Sequence, residues 1–192
     1  MLKENDRAPD FTLDSPAGKV SLKTLVGPGR YVVLYFYPKD KTPGCTREGQ
    51  AFSAAVKQFE RAGAKVFGIS KDTVTMHTSF ADSCGITVPL LSDPDLSVHK
   101  AYGAYGEKTM YGKKVLGTIR STFVVGPDGR LARVFSSVKV DGHAEAVLAA
   151  ITKRDTSSTP TPKTAKKAAT SAPSAKTAKK VSASAAKKKS AR

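Results

Sequence analysis

Seven consecutive apolar or aromatic residues, YVVLYFY at positions 31–37, limit the fold more than any other stretch of this chain. Such a run suits a strand covered on both faces, and Pro38 ends it. After a polar turn, Pro43 and Gly44 lead into a segment where Cys45, Gly49, Phe52, Val56 and Phe59 recur at helical spacing, one face turned to a core. Cys45 therefore falls in the first turn of a helix. The unpaired N–H groups and partial positive charge there favour a thiolate over a thiol, and a nearby guanidinium would add to this. A free cysteine is more often a small buried hydrophobe. The flanks of this one, Lys39, Asp40, Lys41, Thr42 and Pro43 before it and Thr46, Arg47 and Glu48 after it, are polar and turn-forming, unlike a core interior, and favour the reactive reading.

In chain order, residues 11–13 and 20–22 read as a hairpin around Pro16, Ala17 and Gly18. Gly63 closes the Cys45 helix, and residues 65–70, KVFGIS, form the next buried strand, so strand, helix and strand make a parallel crossover. A helix follows over 74–84, capped by Gly85, then a strand over 88–91 and a short helix over 96–102. Residues 118–125, TIRSTFVV, read as one strand that turns through Gly126, Pro127, Asp128 and Gly129 into an antiparallel partner over 131–138. The last helix starts at His143 and sets Ala146, Val147, Ala150 and Ile151 on one face. Mixed strands with interspersed helices give an α/β sandwich.

Charge divides the chain. Of the net +16, residues 156–192 carry +10, from ten Lys and Arg against no acidic residue, and residues 1–155 carry +6. This tail is built of Lys, Ala, Ser, Thr and Pro, repeats KTAKK at 163–167 and 176–180, and has Val181 as its one larger apolar residue. It cannot bury enough surface to offset the entropy of ordering, so a domain over 1–154 and a disordered basic tail over 155–192 are expected. A solvated polycation serves for solubility or tethering. The alternative favoured here is sequence-independent, salt-sensitive binding of duplex DNA through 156–192: the segment has many cations and no aromatic residues for stacking on single strands, and it resembles the tails of linker histones. No apolar run approaches a membrane span, and MLKENDRAPDF lacks the apolar core of a signal peptide, so a cytoplasmic chain, with nucleoid association through its tail, is expected.

The order Pro38, Thr42, Cys45 is PxxxTxxC, in the string YPKDKTPGCT. This resembles the active-site signature of the peroxiredoxins, and TPGCT is similar to the bacterioferritin comigratory protein or peroxiredoxin Q subfamily. APDFTL, SDPDLSVHKAYGA and GKKVLGTIRSTFVVGPDGRL resemble the same subfamily, so the likeness covers residues 1–153. It implies a thioredoxin-like fold and a thiol-dependent peroxidase of hydrogen peroxide and organic hydroperoxides, a monomer with no bound cofactor. Cys45 would attack the peroxide, Thr42 would hydrogen-bond it, Pro38 would shield the site, Arg120 would serve as charge partner from a strand, and Glu48 would orient Arg120. Without the resemblance, Arg120 reads as a strand-edge surface arginine and Glu48 as a solvated first-turn carboxylate.

The sulfenic acid left on Cys45 must be reduced. Many subfamily members carry a resolving cysteine five residues after the reactive one, where this chain has Gln50. Two routes stay open. In the first, Cys84, on the helix where other members place their resolving cysteine, forms a disulfide with Cys45 after local unwinding, and a thioredoxin-like reductant reopens it. In the second, Cys84 fills a core-facing stripe with Phe80, and an external thiol reduces a one-cysteine peroxidase. A nucleoid protein with a non-catalytic domain is the rival class. A general thiol-disulfide oxidoreductase would carry CxxC, and Thr46, Arg47 and Glu48 follow Cys45 instead. His77, His99 and His143 share no metal spacing and read as surface or packing residues, and no phosphate loop is present.

Overall fold

The first regular elements are a hairpin of β1 (Thr12–Ser15) and β2 (Gly18–Ser21), antiparallel and closed at Gly18, whose φ of 110° no side-chain-bearing residue readily adopts. The computed structural model describes residues 2–110 and 113–155. After α1 (Leu22–Leu25) come β3 (Tyr31–Phe36), α2 (Pro43–Arg61), β4 (Ala64–Ser70), α3 (Val74–Cys84), β5 (Leu90–Ser92) and α4 (Ser97–Ala101). Then β6 (Tyr105–Met110) and β7 (Lys113–Thr118) form a separate ribbon, followed by β8 (Ser121–Val125), β9 (Leu131–Ser136) and α5 (His143–Asp155). The large sheet runs β2-β1-β5-β4-β3-β8-β9, with β3 parallel to β4 and antiparallel to β8.

Every residue of β3 is buried, and the strand's alternation of side chains sorts them between two cores. Tyr31, Val33 and Tyr35 enter one cluster with Phe52 and Phe59 of α2, Phe80 of α3, and Val147 and Ile151 of α5. Val32, Leu34 and Phe36 enter the other, with Val98 of α4 and Tyr102. Each large side chain so buried contributes about 1.5 to 3 kcal/mol before ordering costs, which makes β3 the spine of the domain. The expected α/β architecture, a mixed sheet with helices, is what forms. Among the described residues no helix is long and apolar enough to cross a membrane.

The helix expected over 74–84 forms as α3, ended by Gly85 at φ 64°, and the structure adds Thr73 at its start, whose side chain accepts from the Met76 N–H. Elsewhere the structure differs from expectation. The strand expected over 118–125 is two strands, with Ile119 and Arg120 between them, because β7 pairs with β6 in the ribbon while β8 joins the large sheet. Arg120 thus sits just outside β8. The strand near Val88 is shorter and later, β5, since Pro89 has no N–H to give a ladder. On α5 the buried face is His143, Ala144, Val147 and Ile151, and Ala146 is exposed. The three histidines are all interior, His77 and His99 at 0% exposure and His143 at 6%. The basic tail lies outside the described residues.

Candidate active site

Thr42 is the extended residue before α2 and Pro43 its first residue, which puts Cys45 at the third helical position, where backbone N–H groups lack partners within the helix. The Thr42 hydroxyl donates to the Lys39 carbonyl at 3.1 Å, which folds the loop back on itself, and Pro38 is half-buried at its base. Cys45 is only 2% exposed and belongs to the apolar cluster under α2. Polar flanks were therefore a poor guide to its exposure. The flanking Lys39, Lys41 and Arg47 project outward, Arg47 onto Asp141, while the thiol turns in.

What makes this buried sulfur unlike a core thiol is its partner. Arg120 Nη2 donates to Cys45 Sγ at 3.2 Å, and Arg120 Nη1 donates to Glu48 Oε2. Cys45 and Glu48 are three apart on α2 and share one face. Gly44 lies beside the guanidinium, and a Cβ there would make an ordinary contact, 3.6 Å from Nη2. Glu48 is not the solvated carboxylate of the bland expectation: it is 1% exposed and its Oε1 has no partner among the described residues. Burial pushes its carboxyl up to about 7, against the pull of the Arg120 charge and hydrogen bond. Burial works to lower the Arg120 value, but Glu48 and Cys45 outweigh it and raise the guanidinium further.

The surrounding walls were not read from the sequence. Tyr35 lies under the site, its ring stacked 4.7 Å from Phe52 and its phenol pushed up by burial, then by the charges of Glu48 and Cys45. His143 hydrogen-bonds Thr122 Oγ1 at 2.8 Å and meets the Phe52 ring edge-on at 5.7 Å. Burial, with the Arg120 charge behind it, pushes its imidazole down to about 4, so it stays neutral beside the cation. A histidine opening a helix carries no signal for this role, because its partners, Thr122 of β8 and Phe52 of α2, come from other elements.

Cys84 ends α3, half-buried at the edge of the same apolar cluster, its Sγ 3.6 Å from Ser83 Oγ. Both cysteines are free thiols. The helix end meets α2 one turn beyond Cys45: Gln50 Nε2 donates to the Cys84 carbonyl at 3.0 Å, and Gly49 faces Ile86 so closely that a Cβ would come within 2.8 Å of it. The site thus gathers Cys45, Glu48 and Arg120 directly, keeps Thr42 and Pro38 in the adjoining loop, and holds Cys84 at a neighbouring contact of the same helix. Among the described residues no three His, Cys, Asp or Glu side chains converge as a metal site would require.

Residues 5–134 match the model of the AhpC/TSA family. Peroxiredoxin Bcp of Xanthomonas campestris is 45% identical over 146 residues, covering 74% of this chain and 91% of that protein. A putative peroxiredoxin of Mycobacterium tuberculosis is 49% identical over 143 residues, 74% of this chain and 90% of that one. A solved structure of the Xanthomonas campestris bacterioferritin comigratory protein, studied for its alkyl peroxide reduction activity, superposes with a TM-score of 0.70 at 43% identity, covering 75% of this chain and 91% of that one. Xylella fastidiosa peroxiredoxin Q, as a cysteine-to-serine mutant, gives a TM-score of 0.74 at 39% identity over 81% of this chain and 98% of that one.

Proposed function

The chain belongs to the AhpC/TSA family as a peroxiredoxin of the Bcp and peroxiredoxin Q type, and on that premise we propose that Cys45 is its peroxide-reactive residue, served by Arg120, Thr42, Glu48 and Pro38. The domain has the thioredoxin-like fold of those structures, and the enzyme is a thiol peroxidase. The observation that carries the residue assignment is the 3.2 Å contact from Arg120 Nη2 to Cys45 Sγ at the start of α2.

The reaction follows from this arrangement. The guanidinium and the first N–H groups of α2 present positive charge to an anionic sulfur. Sulfur attacks one peroxide oxygen, an S–O bond forms as the O–O bond breaks, and the distal oxygen leaves as alkoxide or hydroxide and takes a proton. Arg120, forked and always charged, reaches sulfur and reacting oxygen together, and the Thr42 hydroxyl orients the peroxide. Glu48 holds the other guanidinium nitrogen so that the first stays on the sulfur. Burial of Cys45 keeps water from competing for those donors. Hydrogen peroxide and organic hydroperoxides are the substrate class, which the alkyl peroxide reduction activity of the Xanthomonas relative supports.

Cys45 sulfenic acid then reacts with the Cys84 thiol, releasing water and forming a disulfide that a thioredoxin-like dithiol reopens by exchange. The contact of the Cys84 turn with α2 supports this route over direct reduction of a one-cysteine enzyme. The tail, with ten cations and no anion, binds duplex DNA without reading bases and associates the enzyme with the nucleoid. Peptide-mass analysis of the reduced chain after one equivalent of hydrogen peroxide tests the assignment. A linked Cys45–Cys84 peptide that thioredoxin and its reductase remove is expected. Cys45 found as sulfenic acid, or as the sulfinic acid that a second peroxide makes of it, with Cys84 free selects the one-cysteine route, and an unmodified Cys45 overturns the reading.

A further inference from the structure

Asp40 stands in the loop between β3 and α2, two residues before Thr42 and five before Cys45. Its neighbours Lys39 and Lys41 are exposed, yet Asp40 is 4% exposed and fully engaged. Tyr37 Oη donates to Asp40 Oδ1 at 2.7 Å, and His77 Nδ1 lies 2.9 Å from Asp40 Oδ2. The Asp40 backbone N–H donates to Asp72 Oδ2 at 2.8 Å, an oxygen that also accepts from Ser70 Oγ at 2.8 Å. A carboxylate only accepts, so His77 Nδ1 carries the proton of that contact. The end of β3, the loop after β4 and the second turn of α3 thus converge on a single residue of the Cys45 loop.

The loop has a reason to need holding. Lys41 sits at φ 59°, a left-handed conformation costly for a residue with a side chain. It is tied to the same helix, its Nζ donating to Ser79 Oγ at 2.8 Å. A second buried pair shows the contrast. His99 Nδ1 lies 2.7 Å from Asp93 Oδ2, with both side chains at most 1% exposed, but Asp93 also accepts from the backbone of Ser97 and His99. That pair is a local staple at the start of α4. Asp40 and His77 are 37 residues apart and join separate elements.

We propose that Asp40 and His77 are positioning residues of the peroxidase reaction: their pair clamps the loop of Thr42 and the start of α2 onto α3, fixing where the Thr42 hydroxyl and Cys45 sulfur stand relative to Arg120. The inference rests on Cys45 being the peroxide-reactive residue. Its consequence is that the Cys45 loop is fully formed only while the first turns of α3 are wound.

The test is the rate of Cys45 oxidation by hydrogen peroxide, read by rapid quench and mass analysis in the full chain, for His77→Leu, His77→Asn, Asp40→Asn and His99→Leu, with folding followed by circular dichroism. His77→Leu is expected to slow oxidation about tenfold or more, since small misplacements of reacting groups are costly. His77→Asn, whose amide N–H can stand near the place of Nδ1, should recover most of the loss. Asp40→Asn has one acceptor for two donors and should also be slow, which keeps the test available if His77→Leu does not fold. His99→Leu loses the same kind of pair and should keep the parental rate. A folded His77→Leu or Asp40→Asn oxidised at the parental rate overturns the proposal, as does an equal loss in His99→Leu. A parental chain whose Cys45 ignores peroxide overturns the reading beneath it instead.

Discussion

Gln50 Nε2 donates to the backbone carbonyl of Cys84 at 3.0 Å, so the residue five places after Cys45 is bonded to the turn that carries the other thiol. That contact must break for Cys84 to approach Cys45. A hydrogen bond of this kind is worth about 1 kcal/mol net, or about fivefold in an opening equilibrium. Gln50→Ala should therefore speed formation of the Cys45–Cys84 disulfide by about that factor, with the initial oxidation of Cys45 unchanged. Rapid-quench peptide mapping separates the two steps, and an unaltered disulfide rate would show that opening of α3 is not limited there.

Arg120 touches both Cys45 and Glu48, and its replacement should fall on the first step. Arg120→Ala is expected to lower the rate of peroxide consumption by about 10²- to 10³-fold, the loss typical of removing an oriented charged donor. Arg120→Lys should recover little, because one ammonium cannot span the two partners as a fork does. A lysine variant near the parental rate would reduce the role of Arg120 to charge alone.

Glu48 gives a signed pH dependence. With its carboxyl raised from 4.5 to about 7, the folded chain keeps a proton between those values that the unfolded chain has lost. The stability from this group is full below 4.5 and is lost as pH rises through 7. His143 runs the other way: its value falls from 6.5 to about 4, so stability is full above 6.5 and is lost as pH drops toward 4. Comparing variants isolates the first effect. Between pH 5 and 8 the parental chain should lose about 2 to 3 kcal/mol more than Glu48→Gln in urea unfolding. Parallel stability profiles would mean that Glu48 is ionised throughout.

Gly68, inside β4, leaves no room for a side chain: a Cβ would come within 2.6 Å of the Tyr35 hydroxyl and 2.8 Å of Leu90 Cδ2. Gly68→Ala should cost about 1 to 3 kcal/mol by overpacking, read as a lower urea midpoint. Because Tyr35 lies under the site, the same variant should also slow peroxide turnover, whereas Gly129→Ala, in an open turn, should leave turnover intact.

For the basic segment, the full chain should be retained on duplex DNA at low salt and released as salt rises, with a steep logarithmic slope set by the phosphates it neutralises. A chain ending at Asp155 should lose that retention and keep its peroxidase rate. Equal retention of the two chains would rule out the tail as the DNA-binding element.

The parts of this molecule legible in its sequence are those where a signal is local. The apolar run of β3 with its closing proline, and α3 with its closing Gly85, announce themselves within a dozen residues. The ribbon of β6 and β7 does not: YGEKTM and KKVLGT are rich in Lys and Gly and lack the alternation of a half-buried strand. TIRSTFVV looks continuous because hydrophobic pattern cannot show a strand changing partners at Ile119. The peroxiredoxin-like motif pointed to Cys45, Thr42 and Pro38, and the wider resemblance to Arg120 and Glu48. It said nothing of the burial that pushes Glu48 toward 7, nor of Asp40 meeting His77, since such facts depend on elements brought together by the fold.

The break at Ile119 and Arg120 has one more implication. Ile119 N–H donates to the Ala104 carbonyl and the Arg120 carbonyl accepts from Val138 N–H, so the main chain there is pinned at the joint between ribbon and sheet. Cys45 and Glu48 ride on a helix start, whereas Arg120 is mounted on the frame. If the first turn of α2 moves, the Arg120 backbone stays behind as a fixed root for its side chain, and Cys45 and Glu48 have one anchored point to return to.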